Sequence, residues 1–107
     1  MPGIQLPLAA TEYAQNIYWV YGIVLDESLG FDAKEAMRRL SEAGVGTRPF
    51  FWPMHEQPVF RQMGWFGQTH CPVAERIARR GFYIPSGLAL KEEQIRTVAK
   101  VVREVIR

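Results

Sequence analysis

The chain has 107 residues, 48% of them hydrophobic, which suits one compact domain and leaves no room for two. Thirteen lysines and arginines against eleven acids give a formal charge of +2, too small a surplus to mark a nucleic-acid binder. The single cysteine cannot form an internal disulfide, no apolar run approaches the roughly 20 residues of a membrane helix, and no basic leader opens the chain. A cytoplasmic protein without a membrane partner is the expectation.

Residues 1–12 hold Pro2, Gly3 and Pro7 and show neither helical nor strand period, so they read as an extended lead-in to a domain spanning 13–107. A dozen unpatterned residues running into a core strand suggest further chain upstream. Residues 17–25, IYWVYGIVL, are β-branched and aromatic almost throughout, the pattern of a central strand buried on both faces.

Asp32 caps the first helix, with Glu35 three residues on. Ala33, Ala36, Met37, Leu40 and Ala43 form its apolar stripe, and Gly44 supplies the stop. The chain then returns extended over 45–52, where Pro49 places it at a sheet edge, and alternation puts Arg48, Phe50 and Trp52 on one side.

A helical turn is expected near 59–63, closed by Gly64. A helix follows from Pro72 to Gly81, with Val73, Ala74, Ile77 and Ala78 inward and Arg76, Arg79 and Arg80 outward. Residues 82–84 read as a short strand, and 91–106 as a helix with Ile95, Val98, Ala99, Val102, Val105 and Ile106 on one stripe. The fold class is α+β, sandwich-like: a small β-sheet covered by helices.

The chain carries no Cys/His set at metal spacing, no glycine-rich phosphate loop and no Gly-x-Ser-x-Gly elbow, so no catalytic or metal-ligating residue is assigned. Lys34, Lys91 and Lys100 all fall on exposed helix positions, which leaves no desolvated amine for a Schiff base. The densest ligand-capable stretch is 44–58, GVGTRPFFWPMHEQP. Arg48 there is either an edge-strand arginine stacked on Phe50 or Trp52, or a guanidinium that forks onto a carboxylate or phosphate. His55 and Gln57 follow on a loop at the strand end, where a rigid scaffold commonly meets its ligand.

Taken in order, the runs 2–7 (PGIQLP), 18–23 (YWVYGI), 40–46, 47–55 (TRPFFWPMH), 57–58, 71–75 (CPVAE), 84–87 (IPSG) and 93–95 resemble the DegT/DnrJ/EryC1/StrS sugar aminotransferases, and among them the perosamine synthetases. The resemblance covers nearly the whole chain and is to their C-terminal small domain. Lys91 departs from the pattern, standing where a hydroxyl residue often caps the last helix.

The resemblance implies the small domain of a fold-type-I pyridoxal-phosphate enzyme, which moves an amino group from glutamate to a nucleoside-diphosphate keto-sugar. The cofactor would then be held by a large domain preceding this one in the same polypeptide, in a homodimer, with none on this chain; the isolated fragment would be inactive. Arg48, Trp52, His55 and Gln57 match the stretch that lines the substrate site. The alternative is a free-standing binding module presenting residues 48–52 to a partner.

Overall fold

The computed structural model describes residues 1–107. Four strands form one antiparallel sheet: β1 (Ile4–Gln5), β2 (Tyr21–Leu25), β3 (Arg48–Pro49) and β4 (Gly81–Ile84), in the spatial order β1-β2-β4-β3. The helices are α1 (Ala33–Glu42), α2 (Pro58–Gln62), α3 (Pro72–Arg80) and α4 (Glu92–Val105), with a 3-10 turn at Met54–Glu56. The α+β arrangement expected from the pattern is the one observed.

In the register of β2 with β4, Ile23 faces Phe82 and Gly22 faces Tyr83. One sheet face therefore carries Ile23, Leu25 and Phe82, which pack with Ala33, Ala36 and Leu40 of α1, Val45, and Val102 and Ile106 at the end of α4. The other face carries Gly22, Gly81 and Tyr83, and the Phe50 ring lies across both glycines. A Cβ at Gly22 would come within 2.7 Å of that ring, and one at Gly81 within 2.4 Å. Those two positions are glycine because an aromatic side chain takes their space.

The helix ends follow local chemistry. Asp32 Oδ1 accepts from the Glu35 amide at 2.9 Å. Glu35 itself pairs with Arg38 and Arg39, both at 2.8 Å, rather than completing a reciprocal box with Asp32. Gly44 takes φ +82°, and the Val45 amide donates back to the Leu40 carbonyl at 2.8 Å. At the start of α4 the Gln94 side chain accepts from the Lys91 amide at 2.9 Å, a cap that needs no hydroxyl residue.

Three expectations are corrected. The long buried strand over 17–25 shrinks to Tyr21–Leu25, while Ile17 and Trp19 are 87% and 73% exposed. The break lies at Tyr18, which takes φ +50° and donates its amide to Asn16 Oδ1 at 2.7 Å. On α3, Val73 and Ala74 are exposed, and only Ile77 and Ala78 face inward. Arg80 is half-buried instead of outward. Its guanidinium donates to the carbonyls of Phe31 (2.9 Å), Leu29 (3.2 Å), Leu25 (3.4 Å) and Asp26, tying the β2–α1 connection to α3.

Part of the lead-in also joins the sheet, since Ile4 and Gln5 pair with Leu25 and Val24.

Candidate functional site

The edge strand places the first candidate. Arg48 and Pro49 pair with Tyr83 and Phe82, and because β3 is outermost, the donor that proline lacks costs no ladder bond on its free side. Arg48 is exposed and enters none of the chain's ion pairs. It opens onto a shallow cavity of about 440 Å³ shared with Thr47, Tyr83 and Ser86. An unpaired guanidinium beside hydroxyl donors is suited to a carboxylate or phosphate.

Beyond β3 the chain is pinned by polar contacts. Gln57 Nε2 donates to the Trp52 carbonyl at 3.0 Å, closing the turn over the 3-10 segment. His55 is buried, at 6% exposure, with its Nε2 2.8 Å from Glu75 Oε1. The same Glu75 oxygen accepts from the Cys71 amide at 3.0 Å. The His55 hydrogen bond, and after it the Cys71 amide, hold the Glu75 carboxyl below its ordinary pKa against the opposing effect of burial.

Arg79, one turn further along α3, ties the next layer. Its Nη2 donates to Glu56 Oε1 at 2.9 Å, and its guanidinium carbon lies 5.0 Å from the centre of the Trp52 ring. The Glu56 hydrogen bond raises the Arg79 pKa, so this cation stays charged. Trp52 remains 44% exposed.

The four residues marked out in the sequence thus divide in two. Arg48 and Trp52 present groups outward, whereas His55 and Gln57 each commit their Nε2 to the protein. Glu56, Glu75 and Arg79 escaped the reading as partners of that stretch, because His55 and Glu75 stand 20 residues apart and nothing local connects them.

A second, larger feature is apolar. Ile17, Trp19, Tyr21, Leu88, Ile95 and Val98 are among the residues lining a groove of about 680 Å³ between the start of β2 and α4. Leu88 at its rim is fully exposed. No helix of the chain is long and apolar enough to cross a membrane.

Comparison with known proteins supplies the frame for this geometry. A model of the DegT/DnrJ/EryC1/StrS aminotransferase family matches residues 1–103. The chain is 31% identical over 105 residues to the UDP-N-acetyl-3-dehydro-alpha-D-glucosamine 3-aminotransferase of Acidithiobacillus ferrooxidans, covering 96% of this chain and 26% of that protein. It is 26% identical over 86 residues to the GDP-perosamine synthase of Vibrio cholerae, covering 80% of this chain and 23% of that protein.

Among solved structures, the aminotransferase TlmJ from Streptoalloteichus hindustanus superposes with a TM-score of 0.78 at 26% identity, covering 97% of this chain and 26% of that one. The chain spans about a quarter of the length of the relatives it matches.

Proposed function

The chain belongs to the DegT/DnrJ/EryC1/StrS aminotransferase family, and from that premise we propose that it is the C-terminal small domain of a pyridoxal-phosphate-dependent sugar-nucleotide aminotransferase, residues 13–107 together with the strand that the lead-in adds to its sheet. In this reading the whole enzyme transfers an amino group from glutamate to a nucleoside-diphosphate keto-sugar. This chain supplies one wall of the substrate site. Arg48 and Trp52 face the ligand, while His55 and Gln57 hold the turn that carries Trp52.

The observation that carries this reading is Arg48, a cation fixed by the β3–β4 ladder yet left unpaired at the mouth of a cavity. A guanidinium so placed has no protein partner to give up before it meets an anionic substrate group.

The residues present do not fit the cofactor. Such a cofactor is held through a lysine amine kept uncharged by burial, and Lys34, Lys91 and Lys100 are all exposed. No step of amino transfer is therefore assigned to this chain. The pyridoxal phosphate belongs, in this proposal, to a large domain of the same polypeptide within a homodimer.

The surface supports a covered domain. The accessible area of 8027 Å² exceeds the about 6,100 Å² expected for a free-standing globule of 12.3 kDa. The radius of gyration, 15.6 Å, exceeds the about 13 Å expected at this length. The excess, about 1,900 Å² on this chain alone by the same scaling, is more than twice the about 800 Å² that each partner gives to a standard interface, and the groove at Trp19 and Leu88 is one natural part of it. The free, exposed Cys71 accords with a cytoplasmic setting.

Titration of a nucleoside-diphosphate sugar and of pyridoxal phosphate into the chain tests the reading. Weak amide shifts centred on residues 47–57, lost in Arg48→Gln, with no change in cofactor absorbance, are the expected result. A lysine-linked cofactor band, or sugar-nucleotide binding indifferent to Arg48→Gln, contradicts it.

A further inference from the structure

The 3-10 turn and α3 bring three ligand-capable side chains together behind the wall. One ligand atom each from His55, Glu56 and Glu75 all lie within 4.8 Å of one another. His55 is buried and Glu56 is nine-tenths so, its side chain 10% exposed.

The two oxygens of Glu56 differ. Oε1 takes the Arg79 guanidinium at 2.9 Å, while Oε2 is buried and has no hydrogen-bond partner. A buried carboxylate oxygen without a donor is costly, so such an atom calls for a cation or a proton. Arg79 occupies Oε1, and Glu56 also offers an oxygen within 4.8 Å of the His55 and Glu75 ligand atoms, so a cation held there would serve the carboxylate that Arg79 leaves half satisfied.

We propose that His55, Glu56 and Glu75 form a binding site for a divalent transition metal ion, with Arg79 as the outer partner that orients Glu56. One imidazole nitrogen and two carboxylate oxygens suit zinc and its first-row neighbours, whereas calcium asks for six to eight oxygens. The two carboxylates supply the negative charge a dication needs, one of them already shared with Arg79. Ligands of such an ion stand about 3.4 Å apart when each bond is about 2.1 Å, so His55 Nε2 and Glu75 Oε1, now 2.8 Å apart, separate slightly while the wider pairs, all within 4.8 Å, draw in. The proton between His55 Nε2 and Glu75 gives way to the ion, passing to Nδ1 or to solvent. Glu75, 26% exposed, leaves a way in.

The bound ion cross-links the 3-10 turn to α3, fixing the turn that carries Trp52 whether or not a sugar nucleotide binds beside it. An arginine fixed on the far oxygen of a ligating carboxylate is the kind of outer contact that tunes affinity.

The experiment is titration of the chelator-treated chain with Zn²⁺ against a chromophoric competitor, and with Co²⁺ followed by its visible spectrum. One ion per chain is expected. Arg79→Gln should weaken binding by about 10–100-fold, as loss of an outer partner does, and Glu56→Gln by at least as much. His70→Asn should change affinity far less, since its side chain lies outside the cluster.

Because Glu56→Gln also breaks the ion pair with Arg79, a second readout uses the unaltered chain: Co²⁺ should shift or broaden the His55 imidazole resonances and spare those of His70. No binding, binding that survives Glu56→Gln, or broadening centred on His70 overturns the proposal.

Discussion

Two regions of this small chain are held in place by different physics. The helix-covered face of the sheet is a nine-residue apolar cluster around Phe82, Ile23, Leu25 and Leu40. The segment from Phe50 to Phe66 contributes only His55 to the buried set, and is fastened by Gln57 on Trp52, Glu75 on His55 and Arg79 on Glu56. Burial is non-directional and makes the first region a scaffold. Hydrogen bonds and ion pairs are directional, so the second region holds side chains at set angles without closing over them.

The difference can be broken from either side. Phe82→Ala empties the middle of the cluster, and a loss of about 3–5 kcal/mol in chemical denaturation is expected. Arg80→Met strands the four carbonyls the guanidinium now serves; about 2–3 kcal/mol should be lost, with faster amide exchange between β2 and α1.

Gly81→Ala drives a methyl against the Phe50 ring and to within 2.6 Å of the Ile77 carbonyl, for a cost of about 1–3 kcal/mol and a visible shift of the Phe50 resonances. Glu75→Gln acts on the polar region alone. It keeps the shape but replaces the acceptor shared by His55 and Cys71, so hydrogen exchange should quicken over residues 52–66 while Ile23 and Phe82 stay protected.

The smallest effect is on acid stability. Hydrogen bonds first from Arg38 and then from Arg39 lower the Glu35 pKa from the ordinary 4.5 to about 2. A carboxyl whose pKa is lower in the folded state favours folding fully above 4.5, and that contribution fades as pH falls toward about 2. Glu35→Gln should therefore flatten the loss of stability in that window and leave the profile above it unchanged in shape, as an acid titration of the unfolding midpoint would show.

Much of the scaffold was legible because its signals are local. The Asp32 cap, the stripe of α1, the glycine stop at Gly44 and the stripe of α4 each need only a few neighbouring residues to be read. Arg48 was legible as a candidate for the same reason, standing beside a proline that marks an edge. The overrun of β2 has a different cause: aromatic and β-branched residues look alike whether they face a core or an exposed groove, and Ile17 and Trp19 line the groove.

Arg80 was misplaced because a helical wheel assigns arginine to solvent and cannot show four carbonyls converging on it from the β2–α1 connection. The His55–Glu75 pair lay outside reach because only the packing of α3 behind the 3-10 turn creates it.

The central claim is that this domain's apolar groove is built to be covered. Binding of an environment-sensitive apolar dye to the folded chain, mapped by amide shifts and repeated across protein concentrations, tests it most directly. The account predicts saturable binding that perturbs residues 17–21 and 88–98, weakened by Trp19→Ser and by self-association at high concentration. A chain that stays monomeric at every concentration and binds no dye would contradict it.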